Sequence, residues 1–244
     1  MKKKLLLTCA ALYIASVAHA GEGVQWGYTG DISPEHWATL SPEFAACSGK
    51  NQSPINLTNF IEAELAPLTF AYQPGGNEIV NNGHSIQVNY APGSSLSING
   101  KTFELKQFHF HAPSENHIDG KSYPFENHLV HMDKDGNIAV VAVLYTEGEK
   151  NEALGEFWPQ MPKKPGDPQK LTKKVDATAL LPAQKDYYLF NGSLTTPPCT
   201  EGVLWIVFKE PVAIAPQQVK EFADIMTHPN NRPVQPVNAR PVLK

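Results

Sequence analysis

Alternating apolar and polar residues dominate the chain and predict a protein built mainly from β-strands. Successive side chains of a strand point to opposite faces, so such a run buries one face and exposes the other. Strands are predicted at about 84–90, 95–98, 103–111, 127–132, 138–145, 187–191 and 203–209. Short helical patterns predict helices at 34–40, 152–158, 177–181 and 216–226. The fold class is therefore mainly β (α+β), with short peripheral helices.

Residues 1–20 have the pattern of an export signal. Three lysines follow Met1, the apolar stretch 5–17 is too short to span a bilayer, and Ala18-His19-Ala20 fits a small-x-small cleavage site. We expect a mature protein that begins near Gly21 and is periplasmic or secreted. Because no linker, charge block or repeat divides the remainder, 21–244 is predicted to form a single domain.

Charge and cysteine content limit which classes of partner and which cellular compartment fit the sequence. Removal of the signal lowers Lys+Arg from 20 to 17 against 24 Asp+Glu, so the mature net charge is about −7. Such a surface argues against nucleic acid or an anionic membrane as a partner. Cys47 and Cys199 are the cysteines left after maturation, and export favours a disulfide between them over two unrelated buried thiols.

The segment 107–133 carries the clearest chemical signal, because it holds five of the nine histidines. His109 and His111 alternate with two phenylalanines, so both imidazoles point to one face of a strand and both phenyl rings to the other. A second alternating run, 126–131, follows a polar connection that contains glycine and proline. We expect the two runs to lie side by side and to bring a third imidazole to the same point.

Side-chain parity sorts the residues of the second run. Glu126, His128 and Val130 share one face, whereas His131 points to the other. His128 is therefore the expected third ligand, and His131 is expected to be a buried structural residue. His117, in the connection, is expected to be a loop residue. Three neutral imidazoles without a fourth protein ligand indicate a catalytic Zn²⁺ site with one position open for water.

Seven separated motifs follow one another along nearly the whole mature chain. They are Trp26-Gly27-Tyr28, NQSPIN at 51–56, NNGH at 81–84, QFHFH at 107–111, ENHLVH at 126–131, LTTPPCTE at 194–201 and VLWIV at 203–207. Together they resemble an α-class carbonic anhydrase of the exported bacterial type. The resemblance implies a large, mostly antiparallel, twisted central sheet with the metal at the bottom of a cleft. It also implies cis peptide bonds at Ser53-Pro54 and Pro197-Pro198.

The same resemblance implies a role for each residue around the metal. His109, His111 and His128 match the three Zn²⁺ ligands, and Gln107 and Glu126 match the acceptors for the outer ring N–H of His109 and His128. This agrees with the general behaviour of ligating imidazoles, which donate their other nitrogen to an acceptor that fixes the tautomer.

The implied reaction is the reversible hydration of CO₂ to bicarbonate and a proton. Thr195 matches the threonine that orients zinc-bound hydroxide, Glu115 matches the carboxylate that accepts from the Thr195 hydroxyl, and His84 matches the histidine that shuttles the proton to solvent. Further matches line the substrate and water positions: the substrate contacts Val130, Val140, Leu194, Thr196 and Trp205, and the water-network residues Tyr28 and Asn82.

The chain departs from the commonest family pattern in places, at Asn116 and at Cys199, and two alternatives stay open. Many members have a histidine directly after the carboxylate, where this chain has Asn116. A cupin-type Fe or Mn oxygenase or isomerase would use His109, His111 and Glu115 as ligands. A non-catalytic binding module on the carbonic anhydrase fold is the second alternative, although all three ligand positions are intact. The expected partners are small molecules, and a homodimer is left open.

Overall fold

The computed structural model describes residues 24–244, so the expected signal peptide at 1–20 and the expected start at Gly21 lie outside the described part. Its strands are β1 (Asn56–Leu57), β2 (Thr69–Ala71), β3 (Gly76–Asn81), β4 (Ile86–Tyr90), β5 (Ser95–Ile98), β6 (Lys101–His111), β7 (His117–Ile118), β8 (Phe125–Met132), β9 (Ile138–Glu147), β10 (Gln169–Val175), β11 (Tyr187–Ser193), β12 (Glu201–Phe208) and β13 (Val212–Ile214). Its α-helices are α1 (Trp37–Leu40), α2 (Glu152–Gly155) and α3 (Pro216–Met226), with 3-10 helices at Gly30–Ile32, Pro42–Ser48, Trp158–Gln160 and Ala177–Leu180.

An eleven-stranded sheet organises the described residues. Its main path runs β10-β3-β4-β6-β8-β9-β12-β11, with β5 beside β6, β2 beside β5 and β13 beside β9. Most neighbours are antiparallel, but β12 and β13 run parallel to β9. The short strands β1 and β7 form a separate parallel pair. The predicted fold class, a large and mostly antiparallel sheet with short helices, is confirmed.

The predicted strands correspond to β4, β5, β6, β8, β9, β11 and β12, and α3 has the predicted bounds. Two other helices are shorter than predicted: Trp37–Leu40 replaces 34–40, and Glu152–Gly155 replaces 152–158. The segment predicted at 177–181 is a 3-10 helix. A single isolated helical turn forms few hydrogen bonds for the number of backbone dihedrals that it fixes. Short helices therefore end before the bounds that the sequence pattern predicts.

Of the strands that the sequence pattern missed, β1, β2, β7 and β13 have only two or three residues, β10 lies at the sheet edge, and β3 lies between β10 and β4. β10 carries three lysines in seven residues, and most of its side chains are exposed. An edge strand buries neither face well, so it needs no alternation of apolar and polar residues, and lysine there discourages pairing with other chains. Among the described residues, no helix is both long and apolar enough to cross a membrane.

Apolar side chains cover both faces of the sheet. The larger core lies against α3 and contains Phe108, Phe110, Phe125 and Phe222. The smaller core, on the face that carries the candidate ligands, is formed by residues of β9, β11 and β12 with neighbouring loop residues. The central strands are therefore buried on both sides, which fixes their positions and the direction of every side chain that leaves them.

A third apolar cluster joins the N-terminal segment to the loop that follows β11. It contains Trp26, Trp37 and Phe44 together with the disulfide Cys47–Cys199, whose sulfur atoms are 2.06 Å apart. The predicted disulfide is thus present, and it suits an oxidising compartment. Cis peptide bonds occur at Ser53-Pro54 and Pro197-Pro198, as the resemblance implied, and also at Ala112-Pro113.

His131 is buried behind the ligand-bearing face, within the larger core. The Tyr72 hydroxyl lies 2.6 Å from its Nε2, and its Nδ1 lies 3.3 Å from the carbonyl oxygen of Ala139. Tyr72 therefore donates to Nε2 while Nδ1–H donates to Ala139. Burial lowers the pKa of His131 to about 4, so the imidazole is neutral at pH 7.

Opening the disulfide is expected to lower the free energy of unfolding by about 5 kcal/mol, because a bridge spanning 152 residues restricts the unfolded chain strongly. Denaturant titration of the double variant Cys47→Ala/Cys199→Ala checks this. Wild-type protein kept in reductant is the control and should unfold with the variant. Coincident midpoints for oxidised wild type and the double variant would contradict the expectation.

Neutral His131 is expected to make the fold acid-sensitive. The unfolded chain binds a proton at a pKa of about 6.5 and the native chain at about 4, so the stability is complete above pH 6.5 and is lost as the pH falls toward 4. Proton uptake by His131 in the unfolded chain lowers the free energy of unfolding by about 3 kcal/mol between pH 6.5 and pH 4. Unfolding free energies of His131→Gln should vary less with pH, whereas the exposed-site control His36→Gln should keep the wild-type slope. An unchanged slope in His131→Gln would refute the assignment.

Candidate metal centre

The pairing of β6 with β8 brings the three candidate ligands to one face of the sheet. His109 lies directly opposite His128, and His111 lies opposite Glu126. Directly opposed residues project from the same face, as do residues two apart on one strand. The ligand atoms of His109, His111 and His128 consequently lie within 4.8 Å of one another.

A β-bulge in β6 gives the strand this orientation. The register shifts between Leu105 and Gln107, and Lys106 between them has no partner on β8. Leu105 therefore packs in the larger core, whereas Gln107, only two residues further on, faces the same side as His109. The bulge turns the second half of the strand so that its histidines face away from the larger core.

Two of the imidazoles are held by side chains from their own strand. Gln107 Oε1 lies 2.8 Å from His109 Nδ1, and Glu126 Oε1 lies 2.8 Å from His128 Nε2. In each pair the ring N–H donates to the oxygen. This fixes the tautomers and leaves Nε2 of His109 and Nδ1 of His128 free to bind a metal.

The third imidazole is held by backbone from a distant segment. Nδ1–H of His111 donates to the carbonyl oxygen of Asn230 at 2.7 Å, a contact that the sequence did not indicate because 119 residues separate the two. Nε2 of His111 is buried and has no hydrogen-bond partner among the described residues. A buried lone pair without a donor is costly, and a metal ion at this point would remove that cost.

The electrostatics of the cluster also suit a metal. Burial, followed by the neighbouring imidazoles of the cluster, lowers the pKa of His109 and of His128 well below the ordinary value, and burial lowers that of His111 as well. All three rings are therefore neutral, which is the form that binds a metal. Three neutral imidazole nitrogens with separately anchored outer nitrogens form a donor set that fits Zn²⁺.

Glu115 is buried directly beside the cluster. Its Oε2 lies 3.5 Å from His111 Nε2 and 3.8 Å from His128 Nδ1, while Oε1 accepts the backbone N–H of Arg232 at 2.8 Å. Burial raises its pKa well above the ordinary value, and the Arg232 N–H and the Thr195 hydroxyl oppose that rise. The Thr195 contact falls short of full hydrogen-bond geometry, since no donor among the described residues reaches Oε2.

Arg232 is a functional neighbour that the sequence did not reveal, because it lies 117 residues from Glu115 in the chain. Its side chain is buried, and the guanidinium donates to Gln52 Oε1 and to the carbonyl oxygens of Ser53 and Cys47 at 2.8–2.9 Å. Burial lowers its pKa to about 10, so it stays charged at pH 7. Arg232 thus ties the segment that holds Glu115 to the disulfide-bearing N-terminal region.

The expected apolar substrate wall lies in the smaller core. Val140 and Trp205 are buried there, and Val130 and Leu194 are partly buried against it. The Trp205 ring stands edge-on to the His128 ring, with 4.9 Å between ring centroids. An apolar surface therefore begins directly beside one of the candidate ligands.

The expected proton shuttle, His84, stacks on Trp26 with ring centroids 3.6 Å apart and an interplanar angle of 9°. Asn82 Oδ1 accepts its backbone N–H at 2.9 Å, so Asn82 shapes the turn that presents the ring. Burial, followed by the imidazole of His228, lowers the pKa of His84 to about 4. The hydroxyl oxygen of Tyr28 is buried without a hydrogen-bond partner among the described residues.

Two further residues complete the set that the sequence singled out. Thr196 is partly buried in the turn that contains the cis Pro197-Pro198 bond, where its carbonyl oxygen accepts the N–H of Cys199 at 2.9 Å. His117 was expected in a loop, but it lies in β7 in register with Asn56. That expectation was wrong because a two-residue strand leaves no alternation to read.

Comparisons with known proteins agree with this geometry. The family model described as eukaryotic-type carbonic anhydrase matches residues 32–244. A carbonic anhydrase of Neisseria gonorrhoeae is 49% identical over 98% of this chain and 94% of its own length, and one of Pectobacterium carotovorum is 46% identical over the full length of both. The α-carbonic anhydrase of Thermovibrio ammonificans, solved with the inhibitor sulfanilamide, superposes with a TM-score of 0.89 at 51% identity, covering 91% of this chain and 100% of its own. The chain belongs to the eukaryotic-type, or α-class, carbonic anhydrase family.

Proposed function

We propose that the protein is a zinc enzyme that catalyses the reversible hydration of CO₂ to bicarbonate and a proton. The observation that carries this proposal is the cluster of three imidazoles whose free nitrogens converge within 4.8 Å. Its support is the family match over 32–244 and the name carbonic anhydrase borne by relatives that are 46% and 49% identical.

His109, His111 and His128 would hold the ion, and because no fourth ligand joins them within residues 24–244, a position is left for water. Zn²⁺ supplies a Lewis acid that lowers the pKa of a coordinated water from about 15.7 to about 7, an effect for which carbonic anhydrases are themselves the general example. The protein's part is to keep the three imidazoles neutral and fixed, which burial and the outer hydrogen bonds accomplish.

Thr195 and Glu115 orient the attacking oxygen. Glu115 is held at Oε1 by the Arg232 N–H, so its Oε2 is left to accept the Thr195 hydroxyl proton. A threonine that donates to a carboxylate offers only its lone pairs to other groups. It therefore accepts a hydrogen bond from the attacking oxygen and turns that oxygen's own lone pair toward the carbon of CO₂.

The apolar side chains beside His128 hold a substrate that has no charge and accepts hydrogen bonds weakly. Val130, Val140, Leu194 and Trp205 provide this surface. The family resemblance assigns to Thr196 the contact with the bicarbonate that forms. An anion is held poorly by such a wall, so the wall favours exchange of bicarbonate for water.

His84 carries the released proton toward solvent. Direct transfer to water from a group of pKa near 7 is uphill by about 12 kcal/mol, which caps turnover at about 10⁴ s⁻¹. Transfer to an imidazole with the ordinary pKa of about 6.5 avoids most of that free-energy cost. His84 stacks on Trp26 and burial lowers its pKa to about 4, so in this position the ring favours release of a proton over its uptake.

The cupin-type alternative loses its basis, since the sheet is open and the chain belongs to another family. Glu115, which that alternative uses as a metal ligand, lies close to the histidines but is not part of the metal-binding group. We infer that the partners are CO₂, bicarbonate and water, and that the disulfide places the enzyme in the periplasm or outside the cell.

Loss of one ligand is expected to abolish metal binding and activity together. Wild type should contain about one zinc per chain and accelerate CO₂ hydration, and His128→Ala should lose both, because two imidazoles do not complete the site. Metal analysis and stopped-flow hydration measure this, with His117→Ala as the matched control outside the cluster. Zinc without hydration would favour the binding module, and iron or manganese without hydration would contradict the zinc assignment.

Removal of the shuttle is expected to lower kcat and to spare kcat/KM, because the proton leaves after bicarbonate has formed. We expect His84→Ala to lose at least about tenfold in kcat at low buffer concentration. Added imidazole buffer should restore the rate, and the exposed-site control His36→Ala should behave as wild type. Hydration that is unchanged in His84→Ala would leave the enzyme assignment intact and remove the shuttle assignment.

A further inference from the structure

The carboxylate of Glu126, which anchors His128, is saturated with donors. Oε2 accepts the backbone N–H of Glu115 at 2.7 Å and that of Asn116 at 2.8 Å. Oε1 accepts the His128 ring at 2.8 Å and the side-chain amide of Asn116 at 2.7 Å. A carboxylate has about four lone-pair positions, so all of them are occupied.

Asn116 supplies two of these four donors, one from its backbone and one from its side chain. It is fully buried, and its carbonyl oxygen accepts the Ser114 hydroxyl at 2.9 Å. Its Oδ1 lies 3.4 Å from the backbone nitrogen of Ile55, next to the first cis proline. Burial and the Oδ1 contact hold the side chain in a position where Nδ2 donates to Glu126.

The amide of Asn116 determines where Glu126 Oε1 lies. Backbone donors hold Oε2 alone, so without the amide the carboxylate can turn about its last bond and carry Oε1 with it. The His128 ring follows Oε1, because its Nε2–H donates there. Movement at Nε2 displaces Nδ1, on the opposite side of the ring, from the point where the three free nitrogens converge.

We propose that Asn116 is a positioning residue for the metal: through Glu126 it fixes the His128 ring and slows release of Zn²⁺. The proposal rests on the proposed zinc site and deepens it.

The test compares zinc release from wild type with that from Asn116→Leu, which keeps the approximate size and removes the donor. Asn127→Leu is the matched control: Asn127 is equally buried and adjacent to His128, but its side chain leaves the opposite face of β8, near Tyr145, and makes no hydrogen bond to Glu126 or His128. With excess chelator and detection of free zinc, we expect release from Asn116→Leu to be about tenfold faster or more, and release from Asn127→Leu to match wild type.

A spectrum separates positioning from general loosening. Visible bands of Co²⁺-substituted protein report ligand geometry, and they should change in Asn116→Leu but not in Asn127→Leu. If Asn116→Leu does not fold, Asn116→Asp serves instead, since it keeps the shape, lacks the amide donor at pH 8 and should release zinc faster than wild type.

The outcomes are distinct. A wild-type protein that binds no zinc would overturn both this inference and the proposed function. Wild type that holds zinc while the Asn116 variants release it at the same rate would overturn this inference alone. Equal acceleration of zinc release in Asn116→Leu and Asn127→Leu would also overturn it. The effect would then come from loss of any buried amide near His128 and not from the hydrogen bond to Glu126.

Discussion

The register between β6 and β8 is the constraint on which the metal centre depends. It places His109 opposite His128. A slip by one residue would place His109 opposite Asn127, which lies on the same face of β8 as Phe125 and Leu129 of the larger core. The same slip would turn core side chains toward the wrong face. Hydrophobic burial on one face of these strands therefore maintains the geometry of the polar groups on the other.

A buried polar group near the paired strands β6 and β8 costs free energy if it lacks a hydrogen-bond partner, so most of these groups are paired. Glu126 has four donors, and Arg232 is held by oxygens from three residues. Two of the exceptions, His111 Nε2 and Glu115 Oε2, lie 3.5 Å apart. Unpaired buried atoms cost free energy wherever they occur. Their coincidence at one point fits the proposed site, in which His111 Nε2 would bind the metal and Glu115 Oε2 would accept the Thr195 hydroxyl.

The sequence predicted what depends on local alternation and missed what depends on distant contacts. Alternation in 107–111 and 126–131 was enough to place His109, His111 and His128 on one face and His131 on the other. The bulge at Lys106 left no such signal, since Leu105 and His109 have the same parity yet face opposite sides. Contacts made by residues such as Asn230 and Arg232 arise only when the C-terminal segment folds back, so no local pattern encodes them.

The disulfide and the polar groups near the metal form one connected structure. Cys199 is bonded to Cys47, whose carbonyl oxygen accepts from Arg232, and the backbone N–H of Arg232 holds Glu115. Thr195 lies four residues before Cys199, in the loop that the same bond secures. The cysteines were predicted from the expected compartment, and Thr195 and Glu115 from family resemblance. Because Arg232 donates to both Cys47 and Glu115, the disulfide limits how far the loop that carries Thr195 can move away from Glu115.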